Sequence, residues 1–464
     1  MKIKYLALAV AALGSAGAAN AYTDTATNVY LTGASAIRNN VAAGIANLCT
    51  AAGGSLTVFK NGSSTSSLAN QMAYVCTAGL AGTPITTVIH TVTGGSLNSI
   101  LGMSDQAAKQ QQPVSLTTGC TAAVAGSGAL LGYSVKPNCA LEAVAASDGG
   151  FSDVEYQPVR EQVDILTNAI DGFEIGDVTT GATFVAQAFG IGVSNSLYKG
   201  LQTDQGLAAC GVGLGDPTPA CQPTLSKADI VSLINIGLFN PQKNGAENLS
   251  PGLTAGASIE YARRVTTSGT QSGAQIYFLG KGCLEGLNGG NFQVIGDDVA
   301  VGAPGTPVSY NSGLFKVSSN SGTGDVITRL NSAGYVFGVV SAENRAPSGT
   351  TGWKFVKLNG VAISDGTSGG FNKANAISGS YDYAVEAVSF KGPVAKTDAD
   401  EGAVIDAIAG AMGTPSSAGG AATVGLFILP ENPGGYSNAS DPADVSKYQR
   451  GGSTPNSCQP FSAF

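Results

Sequence analysis

Apolar and polar positions recur in one order along this 464-residue chain. Residues 28–31 form a short strand-like run, Thr32-Gly33-Ala34-Ser35 punctuates it, and Ile37, Val41, Ile45 and Leu48 follow at the spacing that gives a helix one buried face. The order returns at residues 86–92, turns at Gly94-Gly95-Ser96, and continues through Leu97, Ile100 and Leu101. It returns again at residues 262–265, at 266–270, and in the segment holding Ile276, Phe278 and Leu279. Further strands are expected at 184–193, 335–340, 381–390 and 423–429, and helices at 322–330 and 401–412. Ser226 with Asp229 three residues on opens another helix, whose inner face is Ile230, Leu233 and Ile234. Alternating strand and helix over this length predicts an α/β architecture with largely parallel sheets.

Residues 50–84 and 103–140 break the pattern, being rich in Gly, Ser, Thr and Ala, and are expected to be disulfide-pinned insertions outside the core. Eight cysteines stand at 49, 76, 120, 139, 210, 221, 283 and 458, with no C-x-x-C pair. An even number in an exported chain reads as disulfides. Four bridges allow about 105 connectivities; sequence neighbours Cys49/Cys76, Cys120/Cys139 and Cys210/Cys221 are the economical choice, leaving Cys283 with Cys458. Export is read from residues 1–21, where Lys2 and Lys4 precede an apolar run ending in Ala19-Asn20-Ala21. Cleavage before Tyr22 would leave 21 basic against 31 acidic residues. The expected location is periplasmic or secreted, with no later stretch of membrane-spanning length.

Composition narrows the function. Hydrophobic residues at 43% support real cores, while 65 glycines and only 12% charged residues describe a mild surface. A net charge of −8 without any basic run disfavours nucleic acid and anionic membranes as partners. The single histidine, His90, excludes multi-histidine metal sites within one chain. No metal or cofactor is expected.

The three turns carry the chemistry. A strand that ends in a Gly/Ser/Thr turn and feeds a helix points unsatisfied backbone N–H groups and a positive dipole end at whatever lies beyond, which suits an anion. Leu31-Thr32-Gly33-Ala34-Ser35-Ala36, the Gly94-Gly95-Ser96 turn, Phe151-Ser152-Asp153-Val154 and Arg263-Arg264-Val265-Thr266-Thr267-Ser268-Gly269-Thr270 occur in an order that resembles the type 2 periplasmic substrate-binding proteins of the phosphate-transporter branch. Residues 225–237 and Ala333-Gly334-Tyr335 add to the likeness.

That resemblance implies two α/β lobes, each a mostly parallel sheet flanked by helices, joined by crossing strands with ligand closed between them. The expected division is 22–182 for the first part of lobe one, 183–378 for lobe two and 379–464 for the return to lobe one. It also implies a non-enzymatic receptor for phosphate or another small oxyanion, with an ABC-type permease as partner. Carried over position by position, the ligand-binding set is Ser35, Ala36, Ile37, Arg38, Ser96 and Asp153 from lobe one, and Arg264, Ser268, Gly269 and Thr270 from lobe two. An arginine fork pairs with two oxyanion oxygens, and a carboxylate accepts the proton of a hydrogen-phosphate. The chain departs from the family at Ile37, which lacks the family's hydroxyl, at Arg38, where the family has an aromatic, and at Thr266 and Thr267, which replace an acid and a glycine.

Blander readings stand beside these: a capping aspartate for Asp153, a rim ion pair for Arg264, and a satisfied strand histidine for His90. A Ser96, His90, Asp153 hydrolase can be drawn, although no G-x-S-x-G elbow occurs. An extracellular structural or adhesive protein that keeps the fold without a ligand is the alternative function.

Overall fold

The computed structural model describes residues 25, 27–155, 169–170, 173–174, 178–234, 245–283, 306–310, 313–367, 370–393, 397–414, 425–432 and 445–464. The expected export signal at 1–21 lies outside them, as do residues 235–237 and 415–424.

The first strand, β1 (Asn28–Gly33), is buried along its whole length, the mark of a strand covered on both faces. Helix α1 (Arg38–Ala51) follows and seats Val41 and Ile45 on the sheet. Strands β2 (Leu56–Lys60) and β3 (Gln71–Cys76) come next, then β4 (Thr87–Thr91) and the single turn α2 (Asn98–Leu101). Short β5 (Val124–Ala125) and β6 (Ser134–Lys136) lead to β7 (Gly149–Ser152). Strand β1 lies between β4 and β7 with both pairings parallel, and β3, β2, β6 and β5 extend the sheet beyond β4.

Beyond a small hairpin of β8 (Ala169–Ile170) and β9 (Phe173–Glu174) runs the long β10 (Thr179–Val193). It is followed by α3 (Asn195–Asp204), β11 (Thr224–Leu225), α4 (Lys227–Ile234), β12 (Ile259–Arg264) and α5 (Gly269–Ala274). Then come β13 (Val308–Tyr310), β14 (Phe315–Asn320), α6 (Thr323–Leu330), β15 (Tyr335–Ser341), β16 (Lys354–Phe355) and β17 (Lys357–Leu358). Strand β12 lies between β14 and β15, again parallel to both. The chain returns through α7 (Lys373–Ile377), β18 (Ala384–Lys391), α8 (Ala399–Met412) and β19 (Leu426–Ile428), and ends in β20 (Tyr448–Gln449) and β21 (Ser462–Ala463). The result is α/β, with a parallel triplet at the heart of each sheet, antiparallel strands toward the edges and helices on the faces.

Strand β10 joins the two sheets. Its first part pairs antiparallel with β18 beside β7, and Phe189–Val193 pair antiparallel with β15. The register shifts between Ala182 and Ala186, and Phe184 within that bulge has φ 56°. One apolar core runs through the junction, with Leu97, Ile100, Leu101 and Val154 packed together with Phe189, Ile191, Leu233 and Tyr261. A second, under α1 and α8, holds Leu31, Ile37, Val41, Val404 and Ile408.

One expectation is corrected here. Residues 50–84 are not a decoration: β2 and β3 are sheet strands, and Val58, Met72, Tyr74 and Cys76 lie in the second core. Their alternation is only five or six residues long and is flanked by Gly- and Ser-rich turns, which hid it. Residues 103–140, expected outside the core, also enter it: β6 pairs with β2, and Leu130 and Val135 lie in the second core. The disulfides are Cys49–Cys76, Cys120–Cys139, Cys210–Cys221 and Cys283–Cys458. The last ties the segment after α5 to the C-terminal strap, residues 445–464. There Ser457 hydrogen-bonds the buried Glu155, and the N–H groups of Arg450, Gly451 and Gly452 converge on the Glu386 carboxylate at 2.5–3.0 Å.

Candidate functional site

Two of the three turns meet. Gly95 has φ +98°, a left-handed backbone that glycine adopts without strain, and a Cβ there would come within 2.8 Å of the Thr267 carbonyl oxygen. The Leu97 N–H donates to that carbonyl at 3.2 Å, and Thr267 Oγ1 donates to the Gly94 carbonyl at 2.8 Å. The turn after β4 is thereby laid directly on the turn after β12.

Ser96 stands at the centre. Its Oγ donates to Asp153 Oδ1, and the Gly269 N–H donates to the same Oγ at 3.1 Å. All three groups are buried. Gly269 has no room for a side chain: a Cβ would sit 1.7 Å from Asp153 Oδ1 and 2.5 Å from Ser96 Oγ. Burial raises the Asp153 carboxyl above the usual carboxylate range, against the pull of the Ser96 hydrogen bond and the Arg264 charge.

Arg264, at the end of β12, is 5% exposed. Its Nη1 donates to Thr323 Oγ1 at 2.8 Å and its Nη2 to the Ser321 carbonyl at 3.0 Å. Its Nε is shut off from water and has no partner among the described residues. Burial pulls the guanidinium pKa down, while Asp153, Asp325 and Glu343 push it back up. Arg264 is therefore a buried cation within electrostatic reach of Asp153 and not paired to it. Ser268 and Thr270 are buried beside Gly269, Ser268 at the N-cap position of α5.

The first turn contributes differently. Ile37 is fully buried in the second core, Ala36 is buried, and the Arg38 N–H donates within the turn to the Ser35 carbonyl at 3.4 Å. Arg38 is half-buried, donates to Asn70 Oδ1 at 2.9 Å, and its charge bears on Glu343. The first turn meets the strand leading to Asp153 directly, the Ala34 N–H donating to the Phe151 carbonyl at 2.8 Å.

Sequence reasoning missed Glu343, Gln271 and Tyr383. Glu343 follows β15 and feels both Arg38 and Asp153. Gln271 Oε1 accepts from Tyr261 Oη at 3.2 Å and from the Arg264 N–H at 3.3 Å, while its Nε2 has no partner among the described residues. Tyr383 is fully buried, its hydroxyl has no partner among the described residues, and it feels the Asp153 charge. Gln271 could have been suspected from its place just after Gly269-Thr270. Nothing local in sequence marks the other two.

The hydrolase drawing fails on geometry. Ser96 meets Asp153 directly, whereas His90 lies buried in β4 with Nε2 unpartnered among the described residues. Burial drives its pKa down to about 3, so the ring is neutral.

No protein-family model and no curated protein matches the chain. Solved structures similar to it include the following two. An ABC-type phosphate transport receptor from Vibrio cholerae shares 9% identity over 57% of this chain and 74% of its own, with a TM-score of 0.29. PstS from Borrelia burgdorferi shares 11% identity over 79% of this chain and 87% of its own, with a TM-score of 0.32.

Proposed function

We propose that the protein is an exported solute-binding receptor that captures a small oxyanion, phosphate or a close relative, where its two sheets meet. It works by closure of the two halves, without turnover, and hands its cargo to an ABC-type permease. The observation that carries this reading is the convergence of Ser96, Asp153 and Gly269 at one contact, next to a buried Arg264 whose Nε has no partner among the described residues. A buried guanidinium N–H without an acceptor is stabilised by a ligand oxygen placed against it. Asp153 has the acceptor character to take a ligand hydroxyl, Arg264 and the Gly269 N–H supply donors, and Ser96 can turn its proton from Asp153 to an incoming oxygen.

Calorimetry with phosphate tests this. Binding by the natural chain and a loss of at least tenfold in Arg264→Ala are expected; equal affinity in the two proteins removes Arg264 from the site. A native-state ligand must also raise the melting midpoint by mass action.

A specific observation favours the alternative of a structural or adhesive protein without ligand. The two turns already satisfy one another across the seam, through Thr267 with Gly94 and Leu97 and through Gly269 with Ser96. A melting midpoint unmoved by millimolar phosphate, sulfate and phosphite selects that reading.

A further inference from the structure

The C-terminal strap reaches the candidate site from both sides. Ser457 donates through its N–H and its hydroxyl to the two oxygens of the Glu155 carboxylate, which is buried two residues past Asp153. The link from Asp153 to Glu155 is stiff: Ser152 Oγ accepts from the Val154 N–H at 3.1 Å and donates to the Val154 carbonyl at 2.6 Å, and the Val154 side chain packs in the core at the junction. Cys458, the residue after Ser457, is bonded to Cys283. From Gly269 to Cys283 the chain stays wound. Helix α5 passes at Gln275–Leu279 into a wider turn, the Gly280 N–H donates to the Ile276 carbonyl at 2.9 Å, and the Cys283 N–H donates to the Gly280 carbonyl at 3.0 Å.

These contacts close a ring. It runs from Ser96 to Asp153, through Glu155 to Ser457 and Cys458, across the bridge to Cys283, and back along α5 to Gly269, whose N–H returns to Ser96 Oγ at 3.1 Å. Asp153 follows β7 of the first sheet and Gly269 follows β12 of the second, so the strap is fastened on both sides of the contact that parts on opening. One link of the ring is open to reagents in solution. Cys458 is exposed and Cys283 half-buried, whereas each of the other three bridges keeps a buried cysteine: Cys49 and Cys76 in the first, Cys139 in the second and Cys221 in the third. Thiol–disulfide exchange requires approach to a sulfur, and access therefore favours Cys283–Cys458.

Resting on the receptor reading for its purpose, we propose that the Cys283–Cys458 bridge is a redox latch on the ligand site. A dithiol reduces it ahead of the other three, the strap lets go of Glu155, and the contact between Ser96, Asp153 and Gly269 opens, so that bound anion leaves faster. A thiolate of the dithiol attacks one sulfur of the bridge, the protein S–S bond breaks as a mixed disulfide forms, and the second thiol of the reagent closes its own disulfide. Two electrons and two protons pass to Cys283 and Cys458, which end as thiols. Oxidation back to the bridge reseats the strap.

The test uses the natural chain, titrated with dithiothreitol in small steps, alkylated at each step and mapped by mass spectrometry. Cys283 and Cys458 are expected to take the label before any of the other six cysteines. In that state, hydrogen exchange at the Gly269 and Ser457 amides should quicken at least tenfold while the amides of β1 exchange as before, and reoxidation should restore the slow rates. Release of bound phosphate, followed by stopped flow, should quicken at least fivefold. The double variant Cys283→Ser, Cys458→Ser should show the fast exchange before any reductant is added. Earlier labelling of another bridge, unchanged exchange at Gly269, unchanged phosphate release, or faster exchange throughout β1 overturns the latch and leaves the receptor reading standing. If the natural chain binds no phosphate, the receptor reading falls, and the labelling order and the exchange at Gly269 still decide whether the bridge latches the contact.

Discussion

Asp153, Glu155, Glu343 and Glu386 are carboxyls that burial moves upward, and all four lie at or near the junction of the sheets. A carboxyl whose folded pKa exceeds its unfolded value binds more protons folded than unfolded between the two. The stability it contributes is fully present below the free carboxyl range, near pH 4, and is lost as pH rises through the folded value, about 7 for Glu343. The melting midpoint should therefore fall between pH 5 and pH 8, and Glu343→Gln should flatten part of that slope. A midpoint that rises over this interval would mean the four groups are charged and compensated throughout.

At this scale the sequence announced residue types better than their surroundings. Ser96, Asp153, Arg264 and Gly269 stand in recognisable short strings, and the structure puts them in reach of one another. Glu343 and Tyr383 are drawn in by the sheet junction, which pairs residues about 150 apart such as Phe189 with Ser341. No local string carries that information. Ile37 shows the other side of this: its side chain fills the second core, which leaves its backbone N–H as the group for the contact that its place in the string suggested.

Among elements, the turns after β4 and β12 are rigid where they touch, because glycine allows the approach. Gly269→Ala must push Asp153 or Ser96 away from the contact. The expected result is a melting midpoint lower by several degrees, as overpacking costs about 1–3 kcal/mol, together with at least a tenfold loss of anion affinity. A variant with natural stability and natural affinity would show that the two turns part freely.

One helix start was legible in sequence from capping groups three residues apart. Ser226 with Asp229 behaves as expected, and Asp398 with Glu401 opens α8 in the same way. Strands β2 and β3 were hard to read because their value depends on a neighbour: β3 is completed by β4 on one side and by β2 on the other. A six-residue run cannot declare those partners by itself.

In the whole molecule, the C-terminal strap fastens parts of the chain that are distant in sequence. Cys458 is joined to Cys283, and Ser457 to Glu155. Arg450 also donates to the carbonyls of Ala384, Asp382 and Gln459. Replacing Cys283 and Cys458 together by alanine is expected to cost about 2–5 kcal/mol in denaturant unfolding, the usual range for a native bridge closing a long loop. It should also speed anion release, measured by stopped flow, since the strap spans the elements that would move in opening. Unchanged unfolding and unchanged release would mean that the contacts to Glu155 and Glu386 hold the strap alone.

The same bridge orders the chemistry of maturation. The other three disulfides join cysteines 27, 19 and 11 residues apart, so each can form soon after its second thiol reaches the oxidising compartment. Cys283 has to wait for a partner 175 residues downstream. If the six earlier thiols are consumed in turn as they emerge, the 105 conceivable pairings collapse to one without any of them being tried. Cys283 then serves as a timer: its thiol persists while the remainder of the chain crosses into the oxidising compartment and disappears when the strap seats, so trapping it with an alkylating reagent would mark the moment at which the molecule is complete.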